Sequence, residues 1–326
     1  MQQVYVHRQL SQKSKSNLGV PAQGSILGPL LFLIFINDLP MTIQSQNTEC
    51  NLFADDTSLH VRGSDVTSIE NNLQKSLQDV SSWCSKNKMV LHPTKTKSML
   101  IATRQKHQRE TVQPLKLFLN SEAIEQKSEH KFLGVMVDDQ LNWNSHTDKL
   151  CKKLSKNIYL LSKLQCVTDT KCRKLFFHAH IKSHIDYVSN IWDGCSEDQI
   201  KRINSLYRRA IKKVDPRPVP TDVKFSDLNI LQLKQQLKFN KYILMHKIFN
   251  GQAPNYLLEI FQGQNRNRSS SRNNTLILPL PRIDLCKTSL AFSGSKLWNL
   301  LSQDIKSTSS QNSFKSKLIL YLKTFE

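Results

Sequence analysis

The sequence predicts an α+β fold: a small antiparallel sheet with packed helices in the first 143 residues, and helices beyond. Three observations predict it. Short apolar runs separated by turn residues crowd the stretch before Trp143. Apolar residues recur at spacings of three and four after Ser145. Of the 326 residues, 39% are apolar, which supplies a sizeable core and two or three domains.

Taken in order, Val4 and Val6 alternate with polar neighbours and predict one strand within residues 1–18. Gly19-Val20-Pro21-Ala22-Gln23-Gly24-Ser25 is a turn-rich loop. Pro29 suits a first helical turn, where its missing N–H would be unpaired anyway. Leu30 to Leu39 is apolar nearly all round, which predicts a fully buried helix ended by Pro40. The run Ile26–Ile36 falls short of the ~20 residues that cross a bilayer, so no membrane segment is expected.

Leu52-Phe53-Ala54, Asp55-Asp56 and Thr57–Val61 read as strand, tight turn, strand. Ser64-Asp65 starts an amphipathic helix carrying Val66, Ile69, Leu73, Leu77, Val80 and Trp83. Met89–Leu91 and Ser98–Ala102 predict short strands around Pro93–Lys97. Leu115–Leu119 and Lys131–Val137 complete the set, with Asn120-Ser121 as a turn. Helices are expected at about 146–165, 169–189, 196–214 and 227–250, and again between Leu290 and Phe325. Asp215-Pro216-Arg217-Pro218-Val219-Pro220 breaks the helical pattern. The expected domains are therefore 1–143, a basic helical 144–215, and a helical 216–326.

The chain carries 46 Lys and Arg against 26 Asp and Glu, a formal +20. Such an excess attracts polyanions, and nucleic acid is the favoured partner over a membrane surface. Residues 145–250 hold 21 of the basic residues and only 9 acidic ones. Within them Lys201, Arg202, Tyr207, Arg208, Arg209, Lys212 and Lys213 mix an aromatic with dense positive charge, a composition suited to a phosphate backbone. The seven cysteines include no C-x-x-C pair, which argues against a disulfide framework or zinc ribbon and for reduced thiols in an intracellular protein. His178, His180 and His184 lie near Cys172, but 178 and 180 fall on different helix faces, so histidines without a metal are the expectation.

Chemistry centres on Phe53-Ala54-Asp55-Asp56. Two adjacent carboxylates at a hairpin tip repel one another unless a cation binds. Hard oxygen ligands suit Mg²⁺, and two such ions can activate a 3′-hydroxyl and stabilise departing pyrophosphate. Alone, the pair is a weak signal, and an ordinary solvated turn is the better reading of it.

Its context decides between these readings. Gly19-Val20-Pro21, then Gln23-Gly24-Ser25-Ile26-Leu27-Gly28-Pro29-Leu30-Leu31-Phe32, resembles the G-V-P-Q-G-S-x-L-G-P-L-L-F loop of reverse transcriptases. The double aspartate follows within F-A-D-D-T. Leu91-His92-Pro93-Thr94-Lys95-Thr96-Lys97 is similar to the family's N-P-x-K-T-K element. Phe132-Leu133-Gly134-Val135, with Asp138, Leu141, Trp143 and His146, is similar to its primer-grip region. The order and form of these motifs resemble the non-LTR retrotransposon (LINE-like) kind.

The resemblance implies a polymerase palm in residues 1–143, followed by a helical thumb and a helical C-terminal region. It implies RNA-directed DNA synthesis from an RNA template, a DNA primer and dNTPs, with Mg²⁺ held by Asp55 and Asp56. Gln23 and Gly24 would touch the template–nucleotide pair. Lys95 would approach the triphosphate and protonate pyrophosphate, with Lys97 as its rival; a free lysine is charged at neutral pH. Phe132, Leu133 and Gly134 would shape the primer grip. Two departures stand out. The family's other metal-binding aspartate lies upstream of the G-V-P loop, yet the 18 residues before Gly19 contain no Asp or Glu. Ala22 is also an extra residue in that loop. A truncated copy, impaired in catalysis on its own, is the expectation; its alternative is a non-catalytic basic remnant that binds nucleic acid.

Overall fold

The protein is described from a computed structural model covering residues 2–9 (as backbone), 26–45, 47–102, 115–262, 275–281 and 284–325. Helices and small sheets are mixed, and the chain divides into two compact units, Met1–Ser145 and His146–Glu326.

In the first unit, a five-stranded sheet has the order β2-β3-β1-β4-β7. Its strands are β1 (Gln2–Gln9), β2 (Thr48–Phe53), β3 (Asp56–Gly63), β4 (Lys97–Ile101) and β7 (Glu125–Gln126). The strand β1 pairs antiparallel with both β3 and β4 and so holds the centre. The pairing of β4 with β7 is parallel, a departure from the wholly antiparallel set expected. Two separate hairpins join β5 (Phe118–Leu119) to β6 (Glu122–Ala123), and β8 (Glu129–Phe132) to β9 (Val135–Asp138).

Helix α2 (Val66–Lys86) starts where Ser64-Asp65 placed it: the Asp65 carboxylate accepts from the Ser68 N–H at 2.7 Å. Its apolar stripe, Ile69, Leu73, Leu77, Val80 and Trp83, is buried in one core with Leu59, Val61 and Leu100 of the sheet. Met89–Leu91 forms no strand, only an isolated bridge at Val90. The chain instead bends into the 3₁₀ turn Pro93–Lys95, fixed by Thr96 Oγ1 donating to the His92 carbonyl at 3.0 Å.

Helix α1 (Leu27–Ile36) corrects a larger expectation. Only Ile36 is buried, with Phe32 packed partly against the core and Phe35 edge-on to Trp83 at 5.6 Å. The remaining faces are exposed. Apolarity predicted burial, but the described residues of this unit cover one side of the helix only.

In the second unit, α3 (Asn144–Leu164) and α4 (Thr170–Phe177) lead into a π-helical stretch, His178–Lys182, and a last turn, Ser183–Asp186. The single helix expected over 169–189 therefore stops early, with Val188 at φ +50°. Then come α5 (Glu197–Val214), α6 (Leu233–Phe249) and α7 (Gln311–Phe325). The helix expected over 227–250 is unbroken but begins later, at Leu233: Thr221–Asp227 is a separate short helix, and Asn229 takes φ +53° before α6. A core of Tyr242, Met245, Ile248, Trp298, Phe314 and Leu318 joins α6 to α7. Inside this unit Lys241 pairs with Asp193 at 2.6 Å, both nearly buried, and also donates to Ser293 Oγ at 3.0 Å. Asp215 is buried too, accepting from the Arg217 N–H at 3.1 Å and from its guanidinium, while Lys224 donates to the Asp215 carbonyl at 2.8 Å.

Candidate active site at the Asp55-Asp56 hairpin

Strands β2 and β3 pair from Thr48↔Val61 to Phe53↔Asp56, leaving Ala54-Asp55 as a two-residue loop. Loops that tight need a positive φ, and Ala54 supplies it at +51°. For a residue with a Cβ this is a strained conformation. The loop presents Asp55 to solvent and leaves Asp56 half-buried, above the buried pair Thr57 and Ser58.

The sheet register locates Lys95 relative to these carboxylates. Gln9 of β1 is the partner of Asp56, and His7 is the partner of both Ser58 and Lys97. The Pro93–Lys95 turn immediately precedes β4, so it lies at the same end of the sheet as the Asp55-Asp56 tip. One strand separates them, about 10 Å at ordinary strand spacing. Lys95 is exposed and forms no ion pair among the described residues. Its rival is engaged: Lys97 Nζ lies 2.8 Å from the Glu125 carboxylate, which Lys127 also binds. Hydrogen bonds from Lys127 and then Lys97 pull the Glu125 carboxyl down to about 2. Gln23, Gly24 and the extra Ala22 lie outside the described residues.

Phe132, Leu133 and Gly134 form the tip of the β8–β9 hairpin rather than a buried strand. Phe132 pairs with Val135, and Leu133 and Gly134 both take positive φ, +43° and +87°. This is the sign pattern of a type I′ turn. At the hairpin's base Asp138 does work that the sequence reading assigned to no residue. Its Oδ1 accepts from the N–H groups of Gln140 (3.1 Å) and Asn142 (3.0 Å), and its Oδ2 from Trp143 (2.9 Å). That carboxylate holds Leu141 and Trp143 in left-handed conformations, φ +54° and +66°. The primer-grip resemblance singles out Asp138 with Leu141 and Trp143, but only an aspartate ahead of a short polar loop points to this anchoring role.

Residues 1–137 match the family described as reverse transcriptase (RNA-dependent DNA polymerase). The first 137 residues are thus similar to reverse transcriptases, and the relatives that match are polymerases of transposons and other mobile elements. The chain is 25% identical over 232 residues to a probable RNA-directed DNA polymerase from transposon BS of Drosophila melanogaster, covering 67% of this chain and 25% of that protein. It is 25% identical over 218 residues to the corresponding protein of transposon X-element from the same fly, covering 65% of this chain and 23% of the relative. A Pol polyprotein from type-1 retrotransposable element R1 2 of Nasonia vitripennis is 23% identical over 174 residues, 52% of this chain and 42% of the relative. The chain thus spans about a quarter of the length of the two fly relatives.

Within residues 1–137, Asp55 and Asp56 are the carboxylates at the hairpin tip. They suit Mg²⁺, which commonly takes one or two protein carboxylates and fills its shell with phosphate oxygens and water. No group of three or more His, Cys, Asp or Glu residues placed to hold a metal occurs among the described residues.

Beyond the region, the basic helices divide into engaged and available cations. Lys201 pairs with Asp198, Arg202 with Asp148 (2.8 Å) and Arg208 with Asp222 (2.7 Å). Arg209, Lys212 and Lys213 form no ion pair among the described residues. Tyr207 does not join them: it is fully buried and donates to the Leu231 carbonyl at 3.2 Å. On α3, Lys149, Lys152, Lys153, Lys156 and Lys163 are exposed at helical spacing, with Lys163 over the Tyr159 ring at 5.3 Å. His184 is held below its usual range by burial and by the charges of Lys153 and His180, so it resists adding charge beside the stripe.

Proposed function

We propose that the chain is the palm-to-thumb portion of an RNA-directed DNA polymerase, and that it acts on an RNA template, a DNA primer and dNTPs. In this reading residues 1–143 are a palm remnant, 144–215 a basic thumb-like unit and 216–326 a C-terminal helical region. Asp55 and Asp56 hold Mg²⁺. The ion, when bound, lowers the pKa of a primer 3′-hydroxyl and neutralises triphosphate charge. Lys95 donates a proton to pyrophosphate as it leaves; Lys97, tied to Glu125, positions the strand instead. Gln23 and Gly24 meet the template–nucleotide pair, and Phe132, Leu133 and Gly134 guide the primer terminus. The lysines of α3, with Arg209 and Lys212, track the phosphate backbone.

The observation that carries this reading is the register that brings the Asp55-Asp56 tip and the Lys95 turn to one end of one sheet. A second observation favours binding without efficient catalysis in the isolated chain. On the side away from β2, β3 is flanked by β1, and neither β1 nor the rest of the first 18 residues contains an Asp or Glu. The pair therefore receives no third carboxylate from the neighbouring strand.

Primer extension on an RNA template, with and without Mg²⁺, tests both parts together with a binding isotherm. The expected result is nucleic-acid binding that weakens steeply between about 50 and about 200 mM salt, with little extension. Robust Mg²⁺-dependent extension that survives Asp55→Asn would overturn the assignment of the site. A flat salt response would overturn the assignment of the basic helices.

A further inference from the structure

Helix α1 leaves an apolar face that the described residues of its unit do not cover. Ile26 is 94% exposed, Leu27 62%, Leu30 55%, Leu31 51%, Leu33 51%, Ile34 67% and nearby Met41 82%. Together these residues leave on the order of 900 Å² of apolar surface, above the ~300–600 Å² of the largest patch on an ordinary monomer.

We propose that this face is a homodimer interface, in which α1 of one copy packs on α1 of a second. The area fits, since a stable dimer covers about 800 Å² on each partner. Charge selects the occupant. Each copy carries +20, so most approaches between two copies bring lysines and arginines together. No Lys or Arg lies between Lys15 and Arg62, the longest such stretch in the chain. The only charged residue from Ile26 to Met41 is Asp38, and its carboxylate already accepts from Trp83 Nε1 at 3.1 Å. A two-fold axis through this region pairs identical uncharged side chains, as an isologous contact requires. The proposal rests on exposure and charge alone and is independent of the polymerase reading.

Sedimentation of the full chain, freed of nucleic acid by a high-salt wash, measures the association. A dimer is expected at tens of micromolar, and it should tighten in sodium sulfate. Sulfate screens the net positive charge and strengthens apolar burial, whereas nucleic-acid binding would weaken. Leu30→Glu with Ile34→Glu should weaken association by about a hundredfold or more, because each copy would bury unpaired carboxylates. Both sites are half-exposed, so the fold should persist, which circular dichroism checks. The photocrosslinker p-benzoylphenylalanine at position 31 gives a second readout and should trap residues 26–41 of another copy. A monomer at these concentrations overturns the proposal. So does a dimer indifferent to the double substitution. Crosslinks confined to one chain overturn it as well, since they would mean that another segment of the same chain covers the face.

Discussion

Replacing Asp138 by alanine should destabilise the first unit by about 3–4 kcal/mol. The magnitude follows from its three acceptor contacts. The Trp143 N–H is buried against Oδ2, so losing its charged acceptor with no water to replace it costs about 2 kcal/mol. Gln140 and Asn142 are exposed, and their N–H groups can turn to solvent, so each costs nearer 0.5–1 kcal/mol. Asp138→Asn keeps one carbonyl oxygen for Gln140 and Asn142 but can turn an amide toward the Trp143 N–H. Its cost should be about half that of alanine. Urea unfolding followed by tryptophan fluorescence reads this as the transition of Trp83 and Trp143, which belong to this unit, resolved from that of Trp192 and Trp298 in the second. With a slope of about 2 kcal/mol per molar, the alanine midpoint falls by roughly 1.5–2 M at unchanged slope. A shift worth less than about 1 kcal/mol, or an asparagine variant as damaged as alanine, would refute the account of Asp138 as a three-point anchor.

Other consequences are open to the same kind of measurement. Asp193→Ala strands the nearly buried Lys241 ammonium and should cost about 3–5 kcal/mol, whereas Asp193→Leu combined with Lys241→Met should recover much of that loss. Equal damage from the single and double variants would argue against a desolvated pair. Arg217 hydrogen bonds hold the Asp215 carboxyl below its usual range. The unfolded chain therefore takes up this proton first; the stabilisation is present above about pH 4 and is lost as pH falls through the folded value. Melting temperatures between about pH 5 and about pH 2 should fall more gently in Asp215→Asn, and parallel curves would count against the network. Leu133 sits at φ +43° in a turn that favours asparagine. Leu133→Asn should therefore raise stability by about 1 kcal/mol in chemical unfolding, and a loss would show that packing of the leucine outweighs its backbone strain.

The hairpin at Asp55-Asp56 and the helix after Asp65 were legible in the sequence because local rules set them: turn residues between alternating runs, and a cap ahead of a periodic stripe. The centrality of β1 was not legible. Its partners lie some fifty residues away in β3 and ninety in β4, and no local pattern encodes such pairing. The exposure of α1 was hidden because sequence records apolarity, not what covers it. Tyr207 was within reach of sequence reasoning. It shares spacing with Ile200, Ile203, Ala210, Ile211 and Val214, so the apolar stripe of α5 claims it, and not the basic face to which its neighbours Arg208 and Arg209 pointed. The contrast between Lys95 and Lys97 depended on Glu125, whose strand meets β4 only in the folded sheet.

A binding site for a cation should cost stability when the cation is absent, and the Asp55-Asp56 tip gives that idea a definite sign. The tip combines adjacent carboxylates with a strained Ala54, and neither feature helps the hairpin form. Asp55→Asn removes one charge at an exposed position while keeping its shape. In metal-free buffer it should leave the first unit unchanged or up to about 0.5 kcal/mol more stable. Millimolar Mg²⁺ should then raise the melting temperature of the native sequence but not that of the variant, since a ligand that binds only the folded state stabilises it. A structural turn aspartate would behave oppositely: its loss would lower stability in metal-free buffer, and Mg²⁺ would move both proteins alike. That outcome would leave the carboxylates as ordinary turn residues and remove the physical basis for placing the chemistry there.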